Sequence, residues 1–345
     1  RVQITKSFVR NKLTIIPFIV LCCLFISCSC SKKVEMWRRS LFFIATLSCV
    51  VLSVSALKVT VVGGTGFVGS RVCKLLADRE GVSVTSVSKS GRVPEWCQGD
   101  AWTQDVTWKS ADLLNGNTDM ANPDVVVSCL GVVGFDKEEL KRGNGVTNSN
   151  AFASSGGDLQ RSVFVSVSDE LVACQDNWLP EFFGGYIDGK KMAEQAALDA
   201  VGGDATKCCI LKPTFIYGGN AFGIKPPRVT YEYGSGVEEL LSTGVFKALA
   251  DVTPGLIKVA LRPPVSVDSI AAAAAAAAMG DIPGGVVEGT VAMNAATNHP
   301  AATGLTDALA WTKEKLVVVY DWAKEEGVPK AKKLFDSTME KMEAK

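Results

Sequence analysis

Residues 59–69 read Val-Thr-Val-Val-Gly-Gly-Thr-Gly-Phe-Val-Gly, an apolar β-branched run that breaks into glycines at Gly63, Gly66 and Gly69. A buried parallel strand has this composition where it turns sharply into a helix whose N-terminus faces a dinucleotide diphosphate. In that arrangement Gly63 allows the tight turn, Gly66 lets the backbone approach phosphate, and Gly69 lets the helix pack on the strand. The stretch therefore predicts a nucleotide-binding protein.

Strand and helix signals alternate along the chain from Leu57, which predicts an α/β fold with a doubly wound parallel sheet, the Rossmann arrangement. Strand-like runs lie at 58–62, 82–87, 125–130, 162–167 and 207–212, and helix-like segments at about 68–79, 143–154 and 188–200. The eight alanines of 271–278 predict a helix packed closely on the sheet, with an aspartate or serine of Val267-Asp268-Ser269 as a good N-cap.

The predicted Rossmann domain spans residues 57–290 and contains a substrate loop over 214–240. It is followed by a small C-terminal helical extension over 291–345. Apolar stripes at helical spacing predict two helices there; they comprise Leu305, Leu309, Thr312, Leu316, Val319 and Ala323, then Val328, Ala331, Phe335 and Met342. Such stripes usually pack on their own domain, and the alternative is peripheral docking on a membrane or a membrane complex.

Residues 1–56 differ in composition from the rest and are predicted to be a targeting leader. They hold two apolar stretches, roughly 13–30 and 41–56, many basic residues, and Glu35 as their one acid.

The first methionine, Met36, precedes a basic and then an apolar segment that ends in Val54-Ser55-Ala56, the pattern of a signal peptide over 36–56. We therefore expect translation to start at Met36, with residues 1–35 as upstream sequence. The alternative is a membrane anchor over 13–30.

The overall composition excludes several classes of function. With 47% hydrophobic residues in 345, the chain can form a large core, and its 36 basic residues equal its 36 acidic ones, so no net field favours nucleic acid. The one histidine, His299, lies in a Thr-Asn-His-Pro turn and is expected to be solvated. The six cysteines after the leader show no metal-ligand spacing, so we expect a reduced, metal-free protein.

The end of the second strand reads Val87-Ser88-Lys89-Ser90-Gly91-Arg92, where a site that prefers NAD(H) usually has an acid for the ribose 2′-hydroxyl. Hydroxyls and two cations stand there instead, and Arg92 suits a bidentate contact with a 2′-phosphate. NADP(H) is therefore favoured over NAD(H), and the alternative is an ordinary solvated basic turn. Asp112 follows the third strand region near the expected adenine, and Gly131 ends the fourth strand beside the middle of the cofactor.

Tyr186 and Lys190 form a YxxxK pair, and residues four apart share one face of a helix. The ammonium lowers the pKa of a neighbouring phenol, which lets tyrosine act as acid or base in carbonyl reduction. Ser168, at the end of the preceding strand, is placed to hold the carbonyl oxygen, although Ser166 lies near the same strand end. The alternative for the pair is an ordinary helix surface.

The motifs together resemble the extended or atypical short-chain dehydrogenase/reductases. Gly63–Gly69, Ser88–Arg92, Asp112-Leu113-Leu114, Tyr186-xxx-Lys190 and Leu211-Lys-Pro-Thr-Phe-Ile-Tyr-Gly218 carry the resemblance, with Pro264-Val-Ser-Val-Asp268. The resemblance covers roughly residues 57–280. It is greatest to organellar Rossmann proteins, among them chloroplast plant members, a fungal protein of coenzyme Q biosynthesis and the Rossmann accessory subunit of respiratory complex I.

The resemblance implies roles for particular residues. It implies that Tyr186, Lys190 and Ser168 are catalytic. The cofactor-binding residues that it implies are Gly63, Thr65, Gly66, Phe67, Val68, Gly69, Ser88, Ser90, Arg92, Asp112, Leu113, Gly131, Lys190 and Pro213.

Two functions are expected on this basis. One is an NADPH-dependent oxidoreductase acting on an apolar carbonyl or quinone-like substrate, bound over 214–240 where Phe215, Tyr217, Phe222, Tyr231 and Tyr233 occur. The other is a non-catalytic NAD(P)H-binding accessory or assembly protein of an organellar membrane complex. The leader favours a plastid reached through a signal peptide, with mitochondrion or secretory pathway as alternatives.

Overall fold

The computed structural model describes residues 56–295, except 117, 158, 177–178, 220–222 and 225–226. The predicted leader, His299 and the stripes from Leu305 onward lie outside these residues. Within the described part, no helix is long and apolar enough to span a bilayer.

The secondary structure alternates between strands and helices for most of its length. The strands are β1 (Leu57–Val62), β2 (Val82–Ser88), β3 (Val106–Ser110), β4 (Val125–Ser128), β5 (Arg161–Val165), β6 (Cys208–Lys212), β7 (Ile216–Tyr217), β8 (Gly223–Ile224), β9 (Pro227–Arg228), β10 (Val265–Ser266) and β11 (Gly285–Glu288). The helices are α1 (Gly69–Ala77), α2 (Lys137–Lys141), α3 (Thr147–Ala153), α4 (Asp169–Val172), α5 (Glu181–Asp199), α6 (Tyr231–Leu241), α7 (Gly244–Val252), α8 (Gly255–Ala260), α9 (Val267–Met279) and α10 (Gly289–Ala295). A π-helical turn, Arg142–Val146, joins α2 to α3.

The main sheet has seven strands in the order β11-β6-β5-β4-β1-β2-β3. All its pairings are parallel. The fold predicted from the sequence, a doubly wound parallel sheet, is confirmed. The chain runs outward from β1 in one direction through β2 and β3, and in the other through β4, β5 and β6. The reversal beside β1 opens a crevice at the carboxyl ends of β1 and β4, where ligands bind in sheets of this kind.

Apolar side chains of the strands alternate between the two faces of the sheet and build two cores. On one face Val59 and Val61 pack with α1 and the alanines of α9; on the other, Val62 packs with Phe152 of α3 and Ala193 of α5. The alanine run is a buried helix, as predicted, because methyl side chains let the helix lie close to the sheet. Its N-cap is Ser266, whose hydroxyl accepts from the Ser269 N–H at 3.0 Å, so the N-cap lies two residues before Asp268, the nearer of the predicted candidates.

The structure changes several predicted element boundaries. Helix α5 begins at Glu181, seven residues before the predicted 188, so Tyr186 lies within it rather than ahead of it. The predicted helix 143–154 is the end of a longer α2–π–α3 run. Helix α10 crosses residue 290, and Met293 is fully buried in the core. The predicted division between 57–290 and 291–345 thus falls inside a helix that packs on the Rossmann domain.

Candidate functional site

The turn after β1 requires glycine at two of the predicted positions. Gly63 has a φ of +76°, which L-residues rarely adopt. A Cβ built on Gly69 would lie 2.3 Å from the Gly63 carbonyl oxygen, so no other residue fits without a backbone shift. Gly66 donates its N–H to the same oxygen at 2.8 Å, and a Cβ there would lie 3.0 Å from it. The turn therefore brings bare backbone to the crevice at the start of α1, where an anion is stabilised by the helix N-terminus.

A cavity of about 500 Å³ lies beside this turn, at the carboxyl ends of β2, β3 and β4. Its lining includes the predicted residues Ser88, Asp112 and Leu113. The Asp112 carboxylate accepts from the Leu114 N–H and the Asn115 side chain, both at 3.1 Å, and so stabilises its own turn. The glycine turn and this cavity together fit a dinucleotide with its adenosine towards β2 and β3.

The exposed loop after β2 holds the residues predicted to bind a 2′-phosphate. Ser90 and Arg92 are solvent-exposed, and the cavity lining does not include them. Lys89, one of the two cations that the sequence analysis noted in this loop, does line the cavity. Charged residues that the sequence did not single out also line it: Arg142 and the acids Asp136, Glu138 and Glu139. Electrostatics at the adenosine end therefore depends on α2 and the π turn as well as on the loop.

Tyr186 and Lys190 lie one turn apart in α5, and the structure brings them together as their spacing predicts. The Lys190 Nζ is 5.8 Å from the centroid of the Tyr186 ring and 4.8 Å from that of the Phe164 ring. It donates to the carbonyl oxygens of Val165, at 2.8 Å, and Leu130, at 3.2 Å. The ammonium therefore sits between the carboxyl ends of β4 and β5, next to the crevice.

A close helix contact sets this position. A Cβ built on Gly189 would lie 2.9 Å from the Cβ of Asn144 in the π turn, so α5 reaches this depth only with glycine there. The Asn144 side chain accepts from the Val132 N–H at 3.0 Å and donates to the Val132 carbonyl at 2.9 Å. A Cβ on Gly131 would lie 3.6 Å from both Asn144 Oδ1 and Lys190 Nζ. Asn144 thus fixes the loop after β4 beside the lysine, and π turns of this kind are frequent at functional sites.

Burial controls the protonation of the pair. Lys190 is 4% exposed, and burial lowers the pKa of its ammonium to about 8. Burial also raises the pKa of Tyr186 to about 12. The expected lowering of the phenol pKa by the ammonium is not what the structure gives, because desolvation dominates. Further stabilisation of the phenolate therefore has to come from groups that approach it in the crevice.

The pKa of Lys190 predicts how stability responds to pH. The unfolded chain holds this proton more tightly than the folded protein, so the free energy of unfolding rises with pH between about 8 and 10.5. We therefore compare the free energy of unfolding of the wild type with that of Lys190→Met, measured by urea unfolding. The difference, wild type minus variant, is expected to increase by about 3 kcal/mol across this pH window. Lys191→Met, on the exposed side of α5, controls for removal of a charge. Parallel curves for wild type and Lys190→Met would contradict this explanation.

The structure separates the two candidate serines. The hydroxyl of Ser166 donates to the Glu194 carboxylate on α5, and Glu194 also pairs with the buried Lys212, at 3.1 Å. Ser168 is the N-cap of α4, accepting from the Leu171 N–H at 3.4 Å, and its N–H donates to the carbonyl of the predicted cofactor residue Pro213, at 3.0 Å. Ser168 also lines a cavity, whereas the hydroxyl of Ser166 is held by Glu194.

That second cavity, of about 590 Å³, lies at the carboxyl ends of β5, β6 and β11 and is strongly charged. Its charged lining residues are Asp169, Glu170, Lys247, Asp251, Arg262 and Glu288. The Arg262 guanidinium contacts both oxygens of Glu170, at 2.7 to 3.0 Å, and Asp251 at 3.0 Å. This surface would not favour an apolar substrate.

Among the described residues of 214–240, no aromatic side chain lines either of these two cavities. The Tyr217 ring is buried and its hydroxyl donates to Glu238 at 2.7 Å, so it stabilises the packing of α6. Phe215 and Tyr231 are each 42% exposed. Phe222 lies outside the described residues.

A different set of aromatic rings leads to Tyr186. Phe135, on the loop after β4, contacts Phe182 with ring centroids 5.4 Å apart. Phe182 contacts Phe183 at 5.7 Å, and Phe183 contacts Tyr186 at 5.5 Å. Because Phe135 is 70% exposed, this aromatic row runs from the protein surface to the predicted catalytic phenol.

Comparison with known proteins shows that part of this arrangement is similar to a known family. Residues 59–154, from β1 to the end of α3, match the model of the NAD dependent epimerase/dehydratase family. Over these residues the chain is similar to that family. The match confirms the resemblance to extended short-chain dehydrogenase/reductases drawn from the motifs, and it supports a nicotinamide cofactor.

Two relatives are similar to parts of this chain. A chloroplastic, uncharacterized Arabidopsis thaliana protein is 38% identical over 173 residues, which are 49% of this chain and 54% of the relative. Component 2 of the MIOREX complex of Saccharomyces cerevisiae is 36% identical over 90 residues, 25% of this chain and 32% of the relative. The chain thus spans about half the length of the Arabidopsis protein and about a third of the length of the yeast protein.

Among solved structures, a UDP-glucuronic acid 4-epimerase from Bacillus cereus in complex with NAD is similar, with a TM-score of 0.43 and 17% identity. That similarity covers 64% of this chain and 72% of the epimerase.

Proposed function

We propose that the protein is an NADPH-dependent oxidoreductase that reduces an apolar carbonyl or quinone-like substrate. The observation that carries the proposal is the position of Lys190 and Tyr186 at the carboxyl ends of β4 and β5, beside the glycine turn. The family match adds support, because its members are NAD dependent by description. When bound, the cofactor supplies a hydride to the substrate carbon.

The protein's own groups manage the proton and the oxygen. Tyr186 donates its phenolic proton to the carbonyl oxygen as the hydride reaches the carbon, so the carbonyl becomes an alcohol and the phenol a phenolate. Lys190, protonated below about pH 8, stabilises that phenolate. Ser168 holds the carbonyl oxygen. It is favoured over Ser166 because the Ser166 hydroxyl is bonded to Glu194.

The aromatic row of Phe135, Phe182, Phe183 and Tyr186 supports an apolar substrate. Planar rings that extend from solvent to the phenol offer stacking surface to a quinone or to an apolar chain. A panel of quinones and aldehydes, assayed with NADPH, tests the reaction. Turnover of a quinone that falls at least tenfold in Phe182→Ala, with small hydrophilic aldehydes unaffected, supports this substrate class. Equal loss for both classes would contradict it.

Selection of NADP(H) over NAD(H) is assigned to the loop after β2. We expect Arg92→Gln to raise the Kd for NADPH about tenfold and to leave the Kd for NADH unchanged, because the lost guanidinium contact is with the 2′-phosphate alone. Arg79→Gln is the matched control, since Arg79 is an exposed arginine of a surface ion pair and lies outside the lining of the adenosine cavity. Fluorescence titration measures both constants. An equal loss for the two cofactors in Arg92→Gln would contradict the assignment.

The alternative function, a cofactor-holding accessory protein of an organellar membrane complex, is favoured by one surface feature. Val245, Leu249 and Val252 lie on one face of α7 and are 69%, 44% and 78% exposed. An apolar helix face of this kind suits a partner protein. A plastid location accords with the chloroplastic relative and the leader, and organelle fractionation tests it. The Tyr186→Phe variant distinguishes the two functions: loss of its turnover supports the oxidoreductase, whereas an accessory protein would keep its cellular role.

A further inference from the structure

Two guanidinium groups contact the ring of Phe67, which lies in the glycine turn. The Cζ of Arg71 is 5.0 Å from the ring centroid, and the Cζ of Arg228 is 4.0 Å from it. Phe67 belongs to the backbone segment that the family resemblance assigns to the cofactor diphosphate. Two cations therefore lie beside the part of the site where two phosphates are expected.

Arg71 is already committed to the structure of the turn. Its Nε contacts the Asp268 carboxylate at 3.1 Å, and its Nη1 donates to the Phe67 carbonyl oxygen at 2.9 Å. It also lies over the Trp96 ring, at 5.0 Å. The charge of Arg71 is thus paired with an acid, and its donors hold α1 and α9 together.

Arg228 reaches the turn from a distant part of the sequence, at the end of β9. The Gly218 N–H donates to the carbonyl of the next residue, Val229, at 2.9 Å. Gly218 and Gly219 pass close to Phe67, since Cβ atoms built on them would lie 3.7 Å and 3.6 Å from ring atoms. Burial, and then the positive charge of Arg71, lower the pKa of Arg228.

We propose that Arg228 binds the diphosphate of the nicotinamide cofactor, opposite the backbone N–H groups of the glycine turn. The proposal rests on the cofactor site of the proposed function. A planar guanidinium makes bidentate contacts with phosphate oxygens, and stacking on Phe67 orients its plane. Because NADPH and NADH share the diphosphate, Arg228 contributes to affinity for both and does not select between them.

The test compares Arg228→Gln and Arg228→Lys with the wild-type full chain by calorimetric titration. The probes are NADPH, NADH and adenosine 2′-monophosphate, which has the 2′-phosphate but neither phosphate of the diphosphate. Arg228→Gln is expected to raise the Kd for both dinucleotides by the same factor, about tenfold to a hundredfold, and to leave the Kd for the monophosphate within about twofold. Arg228→Lys is expected to recover part of the loss. Arg79→Gln, an exposed arginine of a surface ion pair, is the control.

Each outcome decides the proposal. Unchanged Kd values for both dinucleotides in Arg228→Gln overturn it, as does a loss confined to NADPH, which would assign Arg228 to the 2′-phosphate. Loss of all three probes together with a lowered melting temperature would assign it a structural role only. If the wild-type protein binds neither dinucleotide, the proposed function itself fails, whereas wild-type binding with an unaffected variant overturns only the role of Arg228.

Discussion

Replacing Tyr186 with phenylalanine is expected to lower turnover about 100-fold to 10,000-fold while the Kd for NADPH stays within about twofold. The substitution removes only the hydroxyl, so the ring keeps its contact with Phe183 and its place above Lys190. The reduced carbonyl oxygen then has to take its proton from water. Steady-state kinetics with the best substrate of the panel, together with a fluorescence titration of NADPH, measures both quantities.

Tyr217→Phe is the matched control for this experiment. The Tyr217 hydroxyl donates to Glu238 at 2.7 Å, within the packing of α6 and away from Lys190. Its removal is expected to lower the free energy of unfolding by about 1 to 2 kcal/mol and to leave turnover unchanged. Full turnover in Tyr186→Phe would contradict the catalytic role and leave the accessory function as the better explanation.

Replacing Gly66 with aspartate is expected to weaken binding of NADPH and NADH by more than about a hundredfold. The new side chain would start 3.0 Å from the Gly63 carbonyl oxygen, within the turn that receives the diphosphate. It adds bulk and a negative charge at the helix N-terminus, where the cofactor phosphates need positive potential. Calorimetric titration of both dinucleotides measures the loss.

Gly157→Asp controls for the introduction of aspartate at a glycine. A Cβ on Gly157 meets no atom within 4 Å, so this variant is expected to bind cofactor like the wild type. Thermal melts show whether Gly66→Asp is folded. A folded Gly66→Asp protein with unchanged affinity would mean that the glycine turn does not hold the diphosphate.

Local sequence patterns predicted the centre of the fold well. Buried β-branched runs gave β1, β2, β4, β5 and β6, because the middle of a parallel sheet is apolar on both faces. The outer strands β3 and β11 gave weaker signals, since they lie at the edges of the sheet and are partly exposed.

The start of α5 was missed because Gly184 and Gly185 disfavour a helix locally. Tertiary packing nevertheless stabilises the helix at these glycines. A Cβ on Gly185 would lie 1.9 Å from the Lys137 carbonyl oxygen, so the glycine is required for α5 to rest on α2. Gly185 thus lowers the intrinsic helix propensity of α5 but allows the close contact with α2 that brings α5 to the crevice.

The candidate site was predicted where its residues are close in sequence. The YxxxK spacing gave Tyr186 and Lys190, and the glycine spacing gave the turn. Asn144 was not predicted, since its role depends on Val132 and Gly189 from other elements. Composition likewise suggested an apolar pocket over 214–240. Composition carries no information about tertiary contacts, so it could not indicate that the Tyr217 hydroxyl is bonded to Glu238 or that the aromatic row is formed by Phe135 and α5.

The most direct test of the nicotinamide site is titration of the purified protein with NADPH and NADH, followed by nicotinamide fluorescence. We expect saturable binding of both, with NADPH bound about tenfold more tightly and the signal lost in Gly66→Asp. Absence of binding for both dinucleotides would contradict a nicotinamide site, and the glycine turn would then be a feature of the fold alone.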